Sequence, residues 1–198
     1  MQAIVAAKLP LRIAAVISNE ATAEGLAFAR AQGITTAVVD HRAHAARDAF
    51  DQALMACIES YAPDLVVLAG FMRILSSDFV QHYTGRLINI HPSLLPAFPG
   101  LGTHRRALEA GVKIHGCTVH FVTPVVDHGP IVAQAAVAVQ SDDTAQSLAA
   151  RVLQQEHVLY PQALRWFAED RLHLAHDIVT IQGTDAPQLA LSAPQELL

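Results

Sequence analysis

The chain has 198 residues, of which 52% are hydrophobic and 16% charged, and its formal net charge is −5. This length predicts one domain with a sizeable core, and the acidic balance disfavours a general nucleic-acid binder, which needs a basic face. Cys57 and Cys117 form no CxxC pair, so we expect no disulfide framework. No apolar run is long enough to span a bilayer, and Lys8, Pro10 and Arg12 interrupt the apolar N-terminus, so we predict a cytoplasmic protein.

Strand and helix patterns alternate along the first half of the chain. Predicted strands cover residues 11–18, 34–39, 64–69 and 87–91. Predicted helices cover residues 22–32, 48–61 and 76–83; Gly33 ends the first, Pro63 limits the second, and Ser76 or Ser77 caps the third. This β-α-β-α order is typical of a doubly wound, mostly parallel sheet.

The second half has a different pattern. A helix over residues 103–110 is followed by two long strands, 116–123 and 131–139, and the short loop between them favours an antiparallel pair. A long helix is predicted over 143–160 and a last strand over 172–181. We therefore expect an α/β fold with an antiparallel C-terminal extension. One domain should cover residues 1–182, with a loosely ordered tail over 183–198.

Two polar side chains end the predicted strand in the stretch LINIHPSLLPAFPG, residues 87–100. Side chains alternate between the two faces of a strand, so Asn89 and His91 should share one face. Ligands of open α/β sheets gather at the carboxyl ends of strands, where an amide can bind an oxyanion and an imidazole can handle a proton. Alternatively, both residues only cap the strand and satisfy loop backbone groups.

Two loops could complete a site around His91. Pro92, Pro96 and Pro99 fix backbone torsions, so the loop after His91 can form a rigid wall or be an ordinary surface connection. Asp127 lies in the stretch TPVVDHGPIV between the two long strands. Its carboxylate could hold a nearby imidazole charged and accept a proton, although Asp-x-Gly-Pro also forms turns well.

Four stretches resemble the folate-dependent phosphoribosylglycinamide formyltransferases of purine synthesis. They are NIHPSLLPAFPG, GFMRIL, HGCTVHFVTPVVDHGPI and QQEHVLYPQAL. The resemblance runs from about residue 1 to about residue 176. It implies a formyltransferase fold that moves the formyl group of 10-formyltetrahydrofolate to the amine of glycinamide ribonucleotide.

The resemblance also implies roles for individual residues. Asn89 would donate to the developing oxyanion, His91 would stabilise it as an imidazolium, and Asp127 would position His91 and help to remove the amine proton. The implied folate contacts are Met72, Arg73, Ile74, Leu75, Asn89, Val122, Thr123, Val126 and Asp127. The implied ribonucleotide contacts are Gly70, Pro92 and Glu156. We expect no metal site, since the 11 histidines form no HExxH motif.

One departure from the family pattern concerns the start of the sequence. The family opens with an apolar strand and a GxGSN-like loop that cradles a phosphate, whereas MQAIVAAK resembles the body of the helix that follows. We therefore expect a formyltransferase without its first strand, a truncated chain that binds the ribonucleotide poorly.

Other activities are compatible with parts of the pattern. A folate-binding protein without activity and a formyltetrahydrofolate hydrolase remain alternatives. A methionyl-tRNA formyltransferase would need a further RNA-binding domain. The partners expected here are folate and glycinamide ribonucleotide, with neither nucleic acid nor membrane, and the chain is expected to be a monomer or homodimer.

Overall fold

Alternating helices and strands form an α/β fold in the computed structural model, which describes residues 1–183. The helices are α1 (Gln2–Ala6), α2 (Glu24–Ala31), α3 (Arg47–Glu59), α4 (Ser77–His82), α5 (Thr103–Glu109) and α6 (Ala145–Ala168), with a short 3₁₀ helix at His41–Ala43. The strands are β1 (Val16–Ser18), β2 (Thr36–Val38), β3 (Val66–Leu68), β4 (Leu87–His91), β5 (Ile114–Phe121), β6 (Ile131–Ala138), β7 (Leu172–Ala175) and β8 (Ile178–Ile181). Apart from Gly183, the predicted tail lies outside the described residues.

The strands form three sheets. The largest has the order β3-β4-β5-β6, in which β3 and β4 are parallel and the other neighbours are antiparallel. A separate parallel pair joins β1 to β2, and β7 with β8 forms an antiparallel hairpin. The antiparallel pairing of β5 with β6 confirms the predicted pair of long strands. The predicted parallel part is present as two parallel pairs instead of one continuous sheet.

A cavity of about 750 Å³ lies between β1 and β3. Both strands line it, and side chains of α3 and α6, among them Leu54 and Phe167, close its sides. Within residues 1–183, β1 pairs only with β2 and β3 only with β4. The first strand implied by the resemblance is therefore not found between β1 and β3 in this part of the chain.

Three predicted elements differ most from the structure. The strand expected over 11–18 is limited to β1, where register with β2 supplies the backbone partners. The single strand expected over 172–181 is a hairpin, because His176 and Asp177 have φ of 51° and 60° and form its two-residue turn. Helix α6 continues through Pro161 to Ala168, and burial of Leu164 compensates for the hydrogen bond that the proline removes.

Helix ends follow the expected capping chemistry. Gly33 has a φ of 70° just after α2, a left-handed conformation that glycine adopts without steric cost. Ser76 caps α4, since its hydroxyl oxygen accepts a hydrogen bond from the Phe79 amide at 3.3 Å. Thr144 and Ser147 form a reciprocal capping box at the start of α6. The predicted existence of these three helices is confirmed, although their bounds shift by up to several residues.

Burial on one face of the central sheet determines where polar side chains can gather. The apolar side chains of Ile88, Val119 and Phe121 pack with Tyr160 and Leu164 of α6. Because side chains alternate along strands, residues Asn89 and His91 of β4 face the other way. No helix within residues 1–183 is long and apolar enough to cross a bilayer.

Candidate active site

Strands β4 and β5 place four polar side chains on the same face of the sheet. In the antiparallel register Asn89 lies opposite His120, and His91 lies opposite Thr118. Directly opposed residues of neighbouring strands present their side chains to the same face. The predicted shared face of Asn89 and His91 is thus confirmed, and β5 adds two partners to it.

His91 is 6% exposed and has an acceptor at each ring nitrogen. Its Nε2 donates to the Phe98 carbonyl at 3.0 Å, and its Nδ1 lies 3.4 Å from a carboxylate oxygen of Asp127. A carbonyl and a carboxylate can only accept, so both contacts are satisfied together only when the ring carries both protons. The geometry therefore suits an imidazolium.

Asp127 is held by the backbone around it. Its carboxylate accepts a hydrogen bond from the Gly100 amide at 2.8 Å, and it lies 3.8 Å from Nε2 of His120. The turn that carries it depends on Gly129, where an added Cβ would come within 1.7 Å of the Phe121 carbonyl oxygen. The structure thus brings the loop carboxylate to His91, as the sequence predicted.

His120 is a site residue that the sequence pattern did not single out. It is 1% exposed, and its Nδ1 donates to the Phe121 carbonyl at 2.8 Å, which leaves Nε2 as an acceptor 3.4 Å from the Asn89 amide nitrogen. Burial lowers the pKa of His120, so the ring stays neutral at physiological pH. The neutral ring orients the Asn89 amide and leaves its second N–H available.

The proline-rich loop after His91 is fixed from β5 and β6. The Thr118 hydroxyl donates to the Ser93 carbonyl at 2.7 Å and accepts from the Leu95 amide at 3.0 Å. Gln134 donates to the Leu95 carbonyl at 2.8 Å and to the Thr118 hydroxyl oxygen at 3.0 Å. These side chains hold the wall rigid, a role that the sequence alone did not indicate. Pro92, the first residue of the loop, is half-buried beside His91.

Two neighbouring loops present apolar side chains to solvent near this face. Met72 is 79% exposed and Ile74 63% in one loop, and Val125 is 60% exposed and Val126 48% in the other. Side chains of both loops pack against the same core cluster: Phe71 and Leu75 from the first loop, and Val122 from the second. An aromatic ligand could lie between them, with backbone groups available at its edge.

The remaining predicted contacts of this region are scattered around the two loops. Gly70 follows β3 with a φ of 70°, and it lines the cavity between β1 and β3. The Arg73 guanidinium lies 5.2 Å from the centre of the Phe50 ring, and so points to α3 instead of the opposite loop. The Thr123 hydroxyl donates to the Val125 carbonyl at 3.2 Å within its own turn.

Glu156 lies away from the polar face. It is half-buried on α6, and burial raises its pKa. Burial, and secondarily the nearby Glu156 carboxylate, raises the pKa of the Cys117 thiol to about 12. Cys117 packs with Leu148 and Val152 of α6, on the side of β5 opposite to Thr118. The structure therefore does not bring Glu156 together with His91. Residues 1–183 also contain no group of three or more histidine, cysteine or carboxylate side chains placed to hold a metal ion.

Comparison with known proteins decides the family. The formyl transferase family model matches residues 2–164. The chain belongs to the formyl transferase family. It is 48% identical to the phosphoribosylglycinamide formyltransferase of Escherichia coli over 98% of this chain and 94% of that protein. The resemblance inferred from the four motifs is thereby confirmed.

Solved structures of formyl transferases support the fold. The phosphoribosylglycinamide formyltransferase of Coxiella burnetii superimposes with a TM-score of 0.88 at 46% identity, covering 92% of this chain and 87% of that chain. A formyltetrahydrofolate deformylase from Pseudomonas syringae superimposes with a TM-score of 0.82, but at 27% identity and over only 62% of its own length. The predicted formyltransferase fold is confirmed, and the Coxiella burnetii transferase resembles this chain more closely than this deformylase does.

Proposed function

We propose that this chain transfers the formyl group of 10-formyltetrahydrofolate to the amine of glycinamide ribonucleotide, a step of purine biosynthesis. The proposal rests on the cluster of Asn89, His91 and Asp127 on one face of the sheet, in a chain 48% identical to a relative with this activity in its name. It extends to a cytoplasmic location and to a monomer or homodimer.

Asn89 is the proposed oxyanion donor. The amine attacks the formyl carbon, a carbon–nitrogen bond forms, and negative charge develops on the formyl oxygen. One amide N–H of Asn89 faces His120, and the second can donate to that oxygen. Because His120 accepts the first N–H, the amide is oriented before the substrate arrives, which is what makes such donors effective.

His91 and Asp127 are the proposed proton-handling pair. The positive ring adds to the stabilisation of the oxyanion, and Asp127 accepts the proton that the attacking amine loses, directly or through water. Cleavage of the bond between the formyl carbon and N10 then completes the transfer, and N10 takes up a proton. The Phe98 carbonyl holds the Nε2 proton in this structure, so the formyl oxygen would have to replace that contact.

The folate is proposed to lie between the loop over residues 70–75 and the loop over residues 122–127. Exposed Met72 and Val126 offer apolar surface, and backbone groups of both loops can recognise the polar edge of the pterin. Glycinamide ribonucleotide is proposed to lie near Gly70 and Pro92. A contact with Glu156 rests on the resemblance alone.

Formyl transfer can be tested with the purified chain, a 10-formyl folate donor, and glycinamide ribonucleotide present or absent. Deformylation that needs the ribonucleotide and yields its formylated product supports the proposal. Deformylation to formate without it identifies a hydrolase, and saturable folate binding without turnover identifies a binding protein.

Asp127→Asn is the matched variant for this assay. The amide oxygen can still accept from Gly100, so the loop should keep its shape, but the proton acceptor is lost. We expect kcat to fall roughly 100-fold or more, the usual range for losing a general base. Asp142→Asn, at an exposed site, is the control and should leave kcat unchanged. Near-wild-type turnover of folded Asp127→Asn would contradict the assignment.

A further inference from the structure

Asp51 on α3 is a buried carboxylate that the proposed reaction does not use. It is 1% exposed, and no Lys, Arg or His side chain of residues 1–183 lies within ion-pair distance of it. A buried charge without a cation has to be stabilised by hydrogen bonds. Its carboxylate accepts one from the Ser76 backbone amide at 2.6 Å, across 25 residues of sequence.

Ser76 is the N-cap residue of α4 and directly follows the loop over residues 70–75. Its own amide has no partner inside the helix, and a capping box would satisfy it with a carboxylate three residues later. That position is Phe79, which is apolar and buried in the core. Asp51 supplies the missing carboxylate from a neighbouring helix, so α3 and the end of the loop are joined.

The preceding residue of α3 holds the middle of the same loop. Phe50 is 2% exposed, and the Arg73 guanidinium lies 5.2 Å from the centre of its ring. Met72 and Ile74, which flank Arg73, extend into solvent, 79% and 63% exposed, and cannot fix the backbone themselves. Consecutive side chains of α3 therefore hold the middle and the end of the loop.

We propose that Asp51 and Phe50 are positioning residues for the donor side of the site. They hold the backbone of residues 72–75 at a fixed separation from the loop over residues 122–127, and thereby determine how well folate is bound. This inference rests on the proposed function. Neither residue touches a reacting atom, so the chemistry at His91 should continue at its normal rate once both substrates are bound.

The test compares Asp51→Ala, Asp51→Asn and the control Asp78→Ala. Like Asp51, Asp78 is an aspartate close to Ser76, but it lies in the first turn of α4 and is exposed. For Asp51→Ala we expect the KM for the folate donor to rise about tenfold, the effect of losing one hydrogen bond to a charged group. The KM for glycinamide ribonucleotide and kcat should stay within about twofold of wild type. Asp51→Asn, which keeps an acceptor oxygen, should recover part of the loss, and Asp78→Ala should match wild type.

Hydrogen–deuterium exchange of residues 70–76 gives a second measurement that does not depend on activity. Exchange in this segment should accelerate in Asp51→Ala and not in Asp78→Ala, while β4 and β5 stay protected. Unchanged exchange in the segment, or equal increases in both KM values, would overturn the positioning role. Failure of the wild-type chain to transfer formyl groups would instead refute the proposed function. The exchange result would then decide by itself whether Asp51 holds the loop.

Discussion

Asn89 is the proposed donor to the oxyanion, a role that requires a neutral N–H group. Its amide is a neutral donor on the polar face. One N–H points to the ring of His120, and the second N–H stays available. Removing one oxyanion donor typically costs about 3 kcal/mol of transition-state stabilisation. We expect Asn89→Ala to remain folded and to lower kcat roughly 100-fold or more. Steady-state kinetics on the folded variant would refute the assignment if kcat stayed near wild type.

Individual site residues could be predicted where the pattern is local. Asn89 and His91 are two positions apart on one strand, so alternation alone places them on one face. His120 and Thr118 also lie two positions apart, on β5, but their part in the site depends on the β4–β5 register. Register is a non-local property, and a single sequence gives no direct measure of it. His120 was therefore missed, although TVH on β5 has the same alternation as NIH on β4.

The turn between β5 and β6 is the element on which the position of Asp127 depends. Phe121 donates to the Pro130 carbonyl at 2.9 Å, and Gly129 fits against the Phe121 carbonyl with no room for a side chain. We expect Gly129→Ala to displace the turn and to lower kcat by about 100-fold, because displacements near 1 Å have such effects. Activity close to wild type would show that the turn relaxes without moving Asp127.

A matched glycine variant separates this local effect from a general one. Gly25 lies in α2, and an added Cβ would meet only the end of the Met1 side chain at 3.5 Å. Gly25→Ala should therefore retain full kcat and gain up to about 1 kcal/mol in unfolding free energy from helix propensity. Urea titration of both variants beside their kinetics makes the comparison.

Elements were predictable where capping and periodicity agree, and less so where the backbone takes an unusual conformation. Gly33 and Ser76 mark helix ends by chemistry that a sequence displays. The turn of the β7–β8 hairpin uses His176 and Asp177 at positive φ instead of an Asn-Gly pair, so its residues gave no turn signal. A continuous strand was predicted there because the apolar residues on both sides of the turn merge into one pattern.

The arrangement of the whole molecule combines a complete polar face with an incomplete sheet. The cavity between β1 and β3 leaves one edge of each strand without a strand partner among residues 1–183, whereas β4 and β5 are paired on both sides. Strands 11–18 and 64–69 were predicted from apolar runs that suit burial on both faces, but only the last three residues of the first run and the centre of the second are strands here. The sequence pattern reports which residues can be buried, and the available backbone partners decide how far each strand extends.

Buried histidines should make the stability of the whole chain depend on pH. Burial lowers the pKa of His115 to about 4, and also lowers the pKa values of His104 and His120. In the unfolded chain each ring has an ordinary pKa of about 6.5. Between these values the unfolded state binds more protons than the folded state, so stability falls as the pH decreases from about 6.5 to 4. Above about pH 7 all three rings are neutral in both states and contribute no slope.

His115→Asn measures the largest of these contributions. The difference between about 6.5 and about 4 corresponds to roughly 3 kcal/mol at about 1.4 kcal/mol per pH unit, an upper value for a ring that is 1% exposed. Unfolding free energies from urea titrations at pH 7 and pH 4.5 should differ less in His115→Asn than in wild type. Exposed His173→Asn is the control and should keep the wild-type difference. Equal pH dependence in all three proteins would contradict the prediction. It would mean that His115 binds a proton in the folded chain as readily as in the unfolded chain, because stability depends on pH only where proton binding differs between the two states.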